Sequence, residues 1–436
     1  MSSATSPTWR DLSRVALASF VGTTIEWYDF YIYGTAAALF FNQLFFPTLS
    51  PLAGILASYS TYAVAFVARP VGGVLFGHFG DRLGRKSSLV LALTIMGVAS
   101  TLIGLLPTYR SWGSLAPAAL VVLRFAQGLA VGGEWGGAVL LATEHAPVRW
   151  RGLFGAWPQM GAPAGLILAS LAFRLVSGHA SEATFLASVL LLAIGLFIRL
   201  NVLESPAFQT VVARKEQLRL PIAELLRQHW RKVLLTMGAF FSINGTFFIL
   251  MTFVFSYCGT QLQMPRTVVL DAVLVSALVA LAGLPLFSAL SDRVGRRPVY
   301  LGGAFAMALF ALPLFWLIDT RSGVLLTVAL SVGMTAFAAM YGPQAAFFSE
   351  MFETRVRYSG TSLGYQLASV FAGGLSPFVA TALLAWSGNR SWPISLYILG
   401  MALVTIGSLL LMEETRGRSL SAAVVRDEPS SRPAVG

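Results

Sequence analysis

Five ionisable side chains stand inside long apolar runs: Glu26, Asp29, Arg69, Arg124 and Glu134. Placing Asp, Lys or Arg at the centre of a membrane span costs about 2.5–3.5 kcal/mol, so each such charge needs a partner or a wet cavity. An acid and a guanidinium at matched depth can act as a proton switch. While close, the cation keeps the carboxylate ionised; once parted, the lone carboxylate in a low-dielectric cavity takes up a proton. At 1.5 Å per helical residue, Asp29 lies about 21 Å along its helix from Val15, and Arg124 about 15 Å along its own from Ser114. Both depths fall near the middle of a hydrocarbon core about 30 Å thick. An Asp29–Arg124 pair is therefore expected as the proton-coupling site, a permanent ion pair that only fixes helix packing being the competing reading. Glu26, one turn earlier on the same face, is either a second titrating site or a polar residue near the pore mouth. Arg69 directly precedes Pro70, which deprives the helix of a backbone hydrogen bond. There it is a candidate ligand for a substrate carboxylate through its bidentate fork, or else a structural partner of an acid. Gln127, Tyr31 and Tyr33 are further candidate substrate contacts from the first half of the chain. Asn244, Tyr341, Gln344, Tyr365 and Gln366 are those from the second, and each also suits simple helix packing or helix–helix hydrogen bonding.

Helices of membrane-spanning length must carry these groups. The chain has 436 residues, 56% of them hydrophobic and 11% charged, with a mean hydropathy of +0.72. Soluble domains carry about 25% charged residues, so a water-soluble enzyme, a fibrous protein and a disordered chain are excluded. Twelve apolar segments are expected near 15–41, 52–79, 87–106, 114–142, 152–173, 183–203, 232–258, 267–290, 298–318, 323–348, 359–386 and 392–412. The domain plan that follows is a terminus (1–14), a six-helix bundle (15–203), a linker (204–231), a second bundle (232–412) and a tail (413–436). The first segment is too long, and too charged at Glu26 and Asp29, for a cleavable signal peptide. With both termini on the cytoplasmic side, 22 Lys and Arg fall in inner segments and 5 in outer loops. That bias satisfies the positive-inside rule, so the net charge of +11 marks topology rather than a nucleic-acid partner. Cys258 is the sole cysteine, which excludes an internal disulfide and a thiolate cluster. His78, His145, His179 and His229 lack metal-ligand spacing, and neither a metal nor a cofactor is expected.

Three marks recur at a nearly constant offset. The run Gly77 to Lys86, holding Asp81, Arg82, Gly84 and Arg85, returns as Ser288 to Arg297 with Asp292, Arg293, Gly295 and Arg296, 211 residues on. Glu144 with Arg149 and Arg151 returns as Glu350 with Arg355 and Arg357, and Glu204-Ser205 as Glu414-Thr415. Such self-similarity indicates a duplicated unit, and two parallel halves suit a transporter that rocks about a midplane site. Gly128, Gly132 and Gly136, with Gly133 and Gly137, give a smooth face for close helix packing.

The G-x-x-x-D-R-x-G-R-K run between the second and third segments resembles the signature loop of the major facilitator superfamily. Thr24 to Tyr31, Phe66 to Gly73, and Leu123 to Gly137 resemble its metabolite:proton symporters, from Arg14 to Arg418. That resemblance implies an all-α polytopic membrane protein of twelve helices in two six-helix bundles. It implies a secondary transporter, not an enzyme, of the cytoplasmic membrane, a functional monomer whose partners are protons, a small metabolite and the lipid bilayer. Carriers in this group take shikimate, 2-oxoglutarate, citrate, other carboxylates, and proline or betaine. The reading favoured here is proton-coupled import of an organic acid; uptake of a zwitterionic osmolyte and proton-driven efflux are the alternatives. The resemblance also implies a cytoplasmic gate in which Asp81 and Asp292 cap neighbouring helices. Arg82 and Arg85 would pair with Glu144, and Arg293 and Arg296 with Glu350, with Glu134, Arg151 and Arg357 belonging to the same gate. As exposed pairs these would each contribute about 0–1 kcal/mol. Ser288, where the first loop has Gly77, predicts a looser contact in the second half.

Overall fold

The computed structural model describes residues 9–37, 41–175, 204–213, 221–418 and 420, with single positions 193, 195, 197 and 200. Most of the sixth expected segment, residues 214–220 of the linker and most of the tail thus lie outside the described residues. Long helices form the fold, and no strand occurs among the described residues: α1 (Trp9–Ala36), α2 (Pro51–Leu83), α3 (Arg85–Gly104), α4 (Leu115–His145) and α5 (Arg151–Leu175). Two short helices follow, α6 (Pro206–Ala213) and α7 (Pro221–Gln228). The second half comprises α8 (Trp230–Thr260), α9 (Arg266–Val294), α10 (Arg296–Ile318), α11 (Gly323–Met351), α12 (Arg357–Trp386) and α13 (Trp392–Leu410). Among the described residues, 9 helices are long and apolar enough to cross a membrane, and α1 and α5 match them in length. Leu309, Trp386 and Leu411 are 80%, 74% and 76% exposed on the outer surface, an apolar rim that only lipid can cover.

The packing repeats between halves. Within them α2 lies along α4 and α9 along α11, while α1 pairs with α5 and α8 with α12. Across them α2 meets α12 and α9 meets α5. A π turn interrupts α8 at Ile249–Phe253 and another interrupts α12 at Ser369–Gly374.

Segments expected to end at 79 and 142 run on as helix, α2 to Leu83 and α4 to His145, so Asp81, Arg82 and Glu144 are helical. The loop reduces to one residue, Gly84 at φ 113° in the first half and Gly295 at φ 124° in the second. Such backbone favours glycine. A Cβ would also collide with the carboxylate of Glu204 at Gly84 and that of Glu414 at Gly295. Those acids accept from the first free amides of α3 and α10, at 3.0 Å from Arg85 N and 3.0 Å from Arg296 N.

The glycines of α4 divide by neighbour. A Cβ at Gly128 would lie 2.4 Å from Ala65 O of α2 and one at Gly132 2.2 Å from Arg69 O, so α4 and α2 touch backbone to backbone. Gly136 and Gly137 instead face Ser362 and Tyr358 of α12, across the junction of the halves.

Candidate functional site

Asp29 and Arg124 are both buried and are joined through Gln127. Arg124 Nη1 donates to Gln127 Oε1 (2.9 Å), and Gln127 Nε2 donates to Asp29 Oδ2 (2.7 Å) and to Ser100 Oγ (2.7 Å). The expected direct pair is thus an amide-bridged one, because Gln127 occupies the turn of α4 between the two charges. Both Nε2 hydrogens are engaged, so Gln127 has no donor left for a substrate in this conformation. Tyr33 too is committed elsewhere: its hydroxyl pairs with Thr61 Oγ1 at 2.7 Å and its ring lies 3.9 Å beneath the Arg124 guanidinium. The cation rests on that face.

Arg69 lies against two rings, 4.8 Å from Phe30 and 4.5 Å from Phe66. Glu26 is within electrostatic reach of Arg69, Tyr341 and Tyr365, which places α1, α2, α11 and α12 around one point. Several buried polar atoms on these helices and on α8 find no hydrogen-bond partner among the described residues: Tyr31 Oη, Arg69 Nε, Asn244 Nδ2, Gln344 Nε2 and Gln366 Oε1, with Arg124 Nε and Nη2 on α4. The amide orientations follow from their partners. The Trp135 indole can only donate, so its 2.7 Å bond requires Gln159 Oε1. Gln159 Nε2 then donates to Gln344 Oε1 at 3.0 Å, which turns the Gln344 NH2 away. Gln366 Nε2 donates to Gly132 O at 3.1 Å, leaving its oxygen unpaired.

Aromatic layers bracket this region. Tyr365 is sandwiched between Trp135 (4.0 Å) and Phe240 (4.1 Å), about 12–15 Å from the signature-loop face at 1.5 Å per residue. Towards the opposite face Phe248, at the start of the π turn, packs 6.1 Å from Phe30 and 5.5 Å from Phe66. The void touching Glu26, Asp29, Arg69, Arg124 and Gln127 has room for about one water. Among the described residues, aromatic side chains thus lie on both sides of the site.

The signature-loop face is sealed by a paired network. Asp81 accepts from Tyr358 N (3.2 Å) and Ser359 N (3.0 Å) at the start of α12, and Asp292 from Gly152 N (2.8 Å) and Leu153 N (2.9 Å) at the start of α5. Each acid thus caps a helix of the other half. The second-half contact is no looser despite Ser288, whose small side chain is buried without opening the cap. Arg85 meets Asp81 (3.3 Å) and Glu144 (3.5 Å), and Arg296 meets Asp292 (2.6 Å) and Glu350 (3.4 Å). Arg357–Glu144 (2.9 Å) and Arg151–Glu350 (3.0 Å) cross between halves.

Three expectations change here. These pairs are buried, not exposed, because helix ends from both halves close over them. Arg82 and Arg293 are exposed and stand apart from it: one lies 3.5 Å from His78, and the other forms no ion pair among the described residues. One helical residue away from a buried partner points a side chain outward. Glu134 lies deeper, fully buried beside Gly133, whose carbonyl accepts from Tyr358 Oη at 2.6 Å.

Sequence reasoning missed Gln159, Ser100, Glu204, Glu414, Ser205 and Thr415 as members of these networks. Thr415 Oγ1 donates to Glu350 at 2.7 Å and Ser205 Oγ donates to Glu144. The Glu-Ser/Glu-Thr repeat was the available signal for four of them, and a lone amide between Pro158 and Pro163 was the signal for Gln159. The tail adds a feature without counterpart among the described residues of the first half. Arg418 O accepts from Arg151 Nη1 at 2.8 Å, and Leu420 O from Arg357 Nη2 at 3.1 Å. Among the described residues no group of His, Cys, Asp and Glu could hold a metal ion.

Comparison with known proteins agrees with this architecture. The family model described as Major Facilitator Superfamily matches residues 20–377. An inner membrane metabolite transport protein of Escherichia coli K12 is 39% identical, over 94% of this chain and 96% of its own. The shikimate transporter of the same organism is 37% identical, over 92% of this chain and 95% of its own. The proton:xylose symporter bound to 6-bromo-6-deoxy-D-glucose superposes with a TM-score of 0.76 at 16% identity, covering 94% of this chain and 98% of that one. The chain belongs to the Major Facilitator Superfamily and is a multi-pass membrane transporter, not an enzyme.

Proposed function

We propose that this protein is a proton-coupled symporter that imports a small organic acid across the cytoplasmic membrane by alternating access. The signature-loop face and both termini are cytoplasmic in this reading, which the 22-to-5 distribution of basic residues supports. The observation that carries the substrate class is the set of unpaired buried groups between the halves. Arg69 Nε, Arg124 Nε and Nη2, Asn244 Nδ2 and Gln344 Nε2 are all N–H donors. A buried polar group left unsatisfied costs about 1–3 kcal/mol, and a ligand rich in acceptors relieves several at once. A carboxylate bearing hydroxyl or keto oxygens meets that description, with Arg69 as its principal ligand. The acid-rich α1 supplies the coupling: Asp29, held through Gln127 to Arg124, loses that support when the halves move and then takes a proton. The domain plan follows the same division, two bundles joined by the linker at 204–231.

Uptake of a labelled panel of hydroxy, keto and dicarboxylic acids, with betaine and proline beside them, tests this in proteoliposomes under an imposed pH gradient. Accumulation of an acid, driven by protons from the side opposite the termini, is expected. Accumulation of the zwitterions alone would overturn the substrate class, and uptake indifferent to the gradient would overturn the coupling.

A further inference from the structure

Gln127 hydrogen-bonds both the acid of α1 and the guanidinium of α4, and its amide has a single permitted orientation. A guanidinium only donates, so Oε1 must face Arg124; an ionised carboxylate only accepts, so Nε2 must face Asp29. The second Nε2 hydrogen goes to Ser100 Oγ, which spends its own proton on Met96 O at 2.9 Å. Both Nε2 hydrogens of Gln127 and the Ser100 hydroxyl hydrogen are committed, and the chain is complete only while Asp29 Oδ2 is bare.

We infer that Gln127 is a positioning residue of the proton step: its amide carries the influence of Arg124 to Asp29 and sets the pH at which that acid loads. This rests on the proposed role of Asp29. Polarised by the cation, the amide is a stronger donor than a lone glutamine, so the carboxylate stays ionised without touching the guanidinium. A link of this kind breaks by one side-chain rotation, whereas a bidentate ion pair must lose two charge-assisted bonds. The other charged or titratable groups around Asp29 are Glu26 and Tyr28 on α1 and Arg69 on α2. From α3 come only the neutral Met96 and Ser100. From α5, Gly161 and Gly165 approach the preceding turns of α1.

The test is the alkaline limb of proton-driven uptake in two variants, Gln127→Glu and Gln127→Leu, with downhill substrate exchange at low pH reporting folded carrier. In Gln127→Glu a second carboxylate faces Asp29 and the two share a proton; in Gln127→Leu the donor is gone. Both changes favour the protonated acid, so the limb should move to higher pH by one unit or more. If exchange survives and the limb stays where it is in the parent, Gln127 is packing only and the inference falls. If Gln127→Leu gives no folded carrier, the limb of Gln127→Asn, which cannot span both partners, decides by the same criterion. Asp29→Asn separates the two levels. Should its uptake keep the parental pH limb, the role of Asp29 itself fails; should it lose the limb while the Gln127 variants keep it, only the present inference fails.

Discussion

At the residue scale, Arg69 and Arg124 are alike in burial and differ in what they have left to give. Arg124 has one nitrogen on Gln127 and its plane on Tyr33, which anchors it to the first half. Arg69 rests on two rings within electrostatic reach of Glu26, with Nε unpaired, and adjoins the second half through Tyr341 and Tyr365. Replacing Arg69 by Lys keeps the charge and loses the planar fork and its stacking. KM for the transported acid should rise about 10–100-fold, the 1.5–3 kcal/mol of a charged hydrogen bond, with the maximal rate less affected. Equal losses in both constants would argue for a structural role instead. For Asp29→Asn, accumulation against a gradient should vanish while labelled exchange continues; full accumulation would remove Asp29 from the mechanism.

At the element scale, glycine contacts and helix caps hold the closed state. A Cβ at Gly132 meets backbone 2.2 Å away, whereas one at Gly136 meets the rotatable hydroxyl of Ser362 at 2.0 Å. Backbone cannot move aside and a hydroxyl can. Gly132→Ala should therefore lower the melting temperature in detergent several degrees more than Gly136→Ala; the reverse order would contradict the packing described. The buried ion pairs act differently from surface ones. Removing one partner of a buried pair costs about 3–5 kcal/mol, and Glu144 serves two, Arg85 and Arg357. Glu144→Gln should open the signature-loop face. A cysteine replacing Ala345, which is fully buried and lies against Gly155 of the other half, would report this in a Cys258→Ser background. Its alkylation by a permeant maleimide should quicken about tenfold or more; an unchanged rate would show that the pair does not hold the gate.

At the scale of the whole molecule, charge and drive set the limits. An impermeant maleimide added to intact cells should label a cysteine at Ser111 and spare one at Arg293, both exposed but on opposite faces. The reverse pattern would invert the orientation. One proton crossing 100 mV yields about 2.3 kcal/mol, and one pH unit about 1.4 kcal/mol. With a zwitterion both terms act, allowing roughly 500-fold accumulation; with a monoanion one proton leaves only the pH term, about tenfold. Accumulation of a monoanion well above tenfold per pH unit calls for a second proton, and Glu26 beside Arg69 is its place. Glu26→Gln should then bring the ratio down to about tenfold and abolish the current that accompanies uptake.

Much of this was legible in the residues alone. Apolar runs of spanning length, the asymmetry of Lys and Arg, and the repeated Asp-Arg-x-Gly-Arg motif follow from local composition, which the bilayer reads without reference to fold. Helical rise alone was enough to bring Asp29 and Arg124 to one depth. Depth, however, says nothing about which side chain fills the space between two helices. That Gln127 stands between the charges, that Gln159 aims Gln344, and that Arg85 pairs inward while Arg82 faces out were decided by tertiary packing. Each depends on rotation about a helix axis and on a partner distant in the sequence, 98 residues away for Gln127 and 185 for Gln159. Hydrogen-bond direction, too, exists only once a donor-only neighbour such as Trp135 or Arg124 has arrived to impose it.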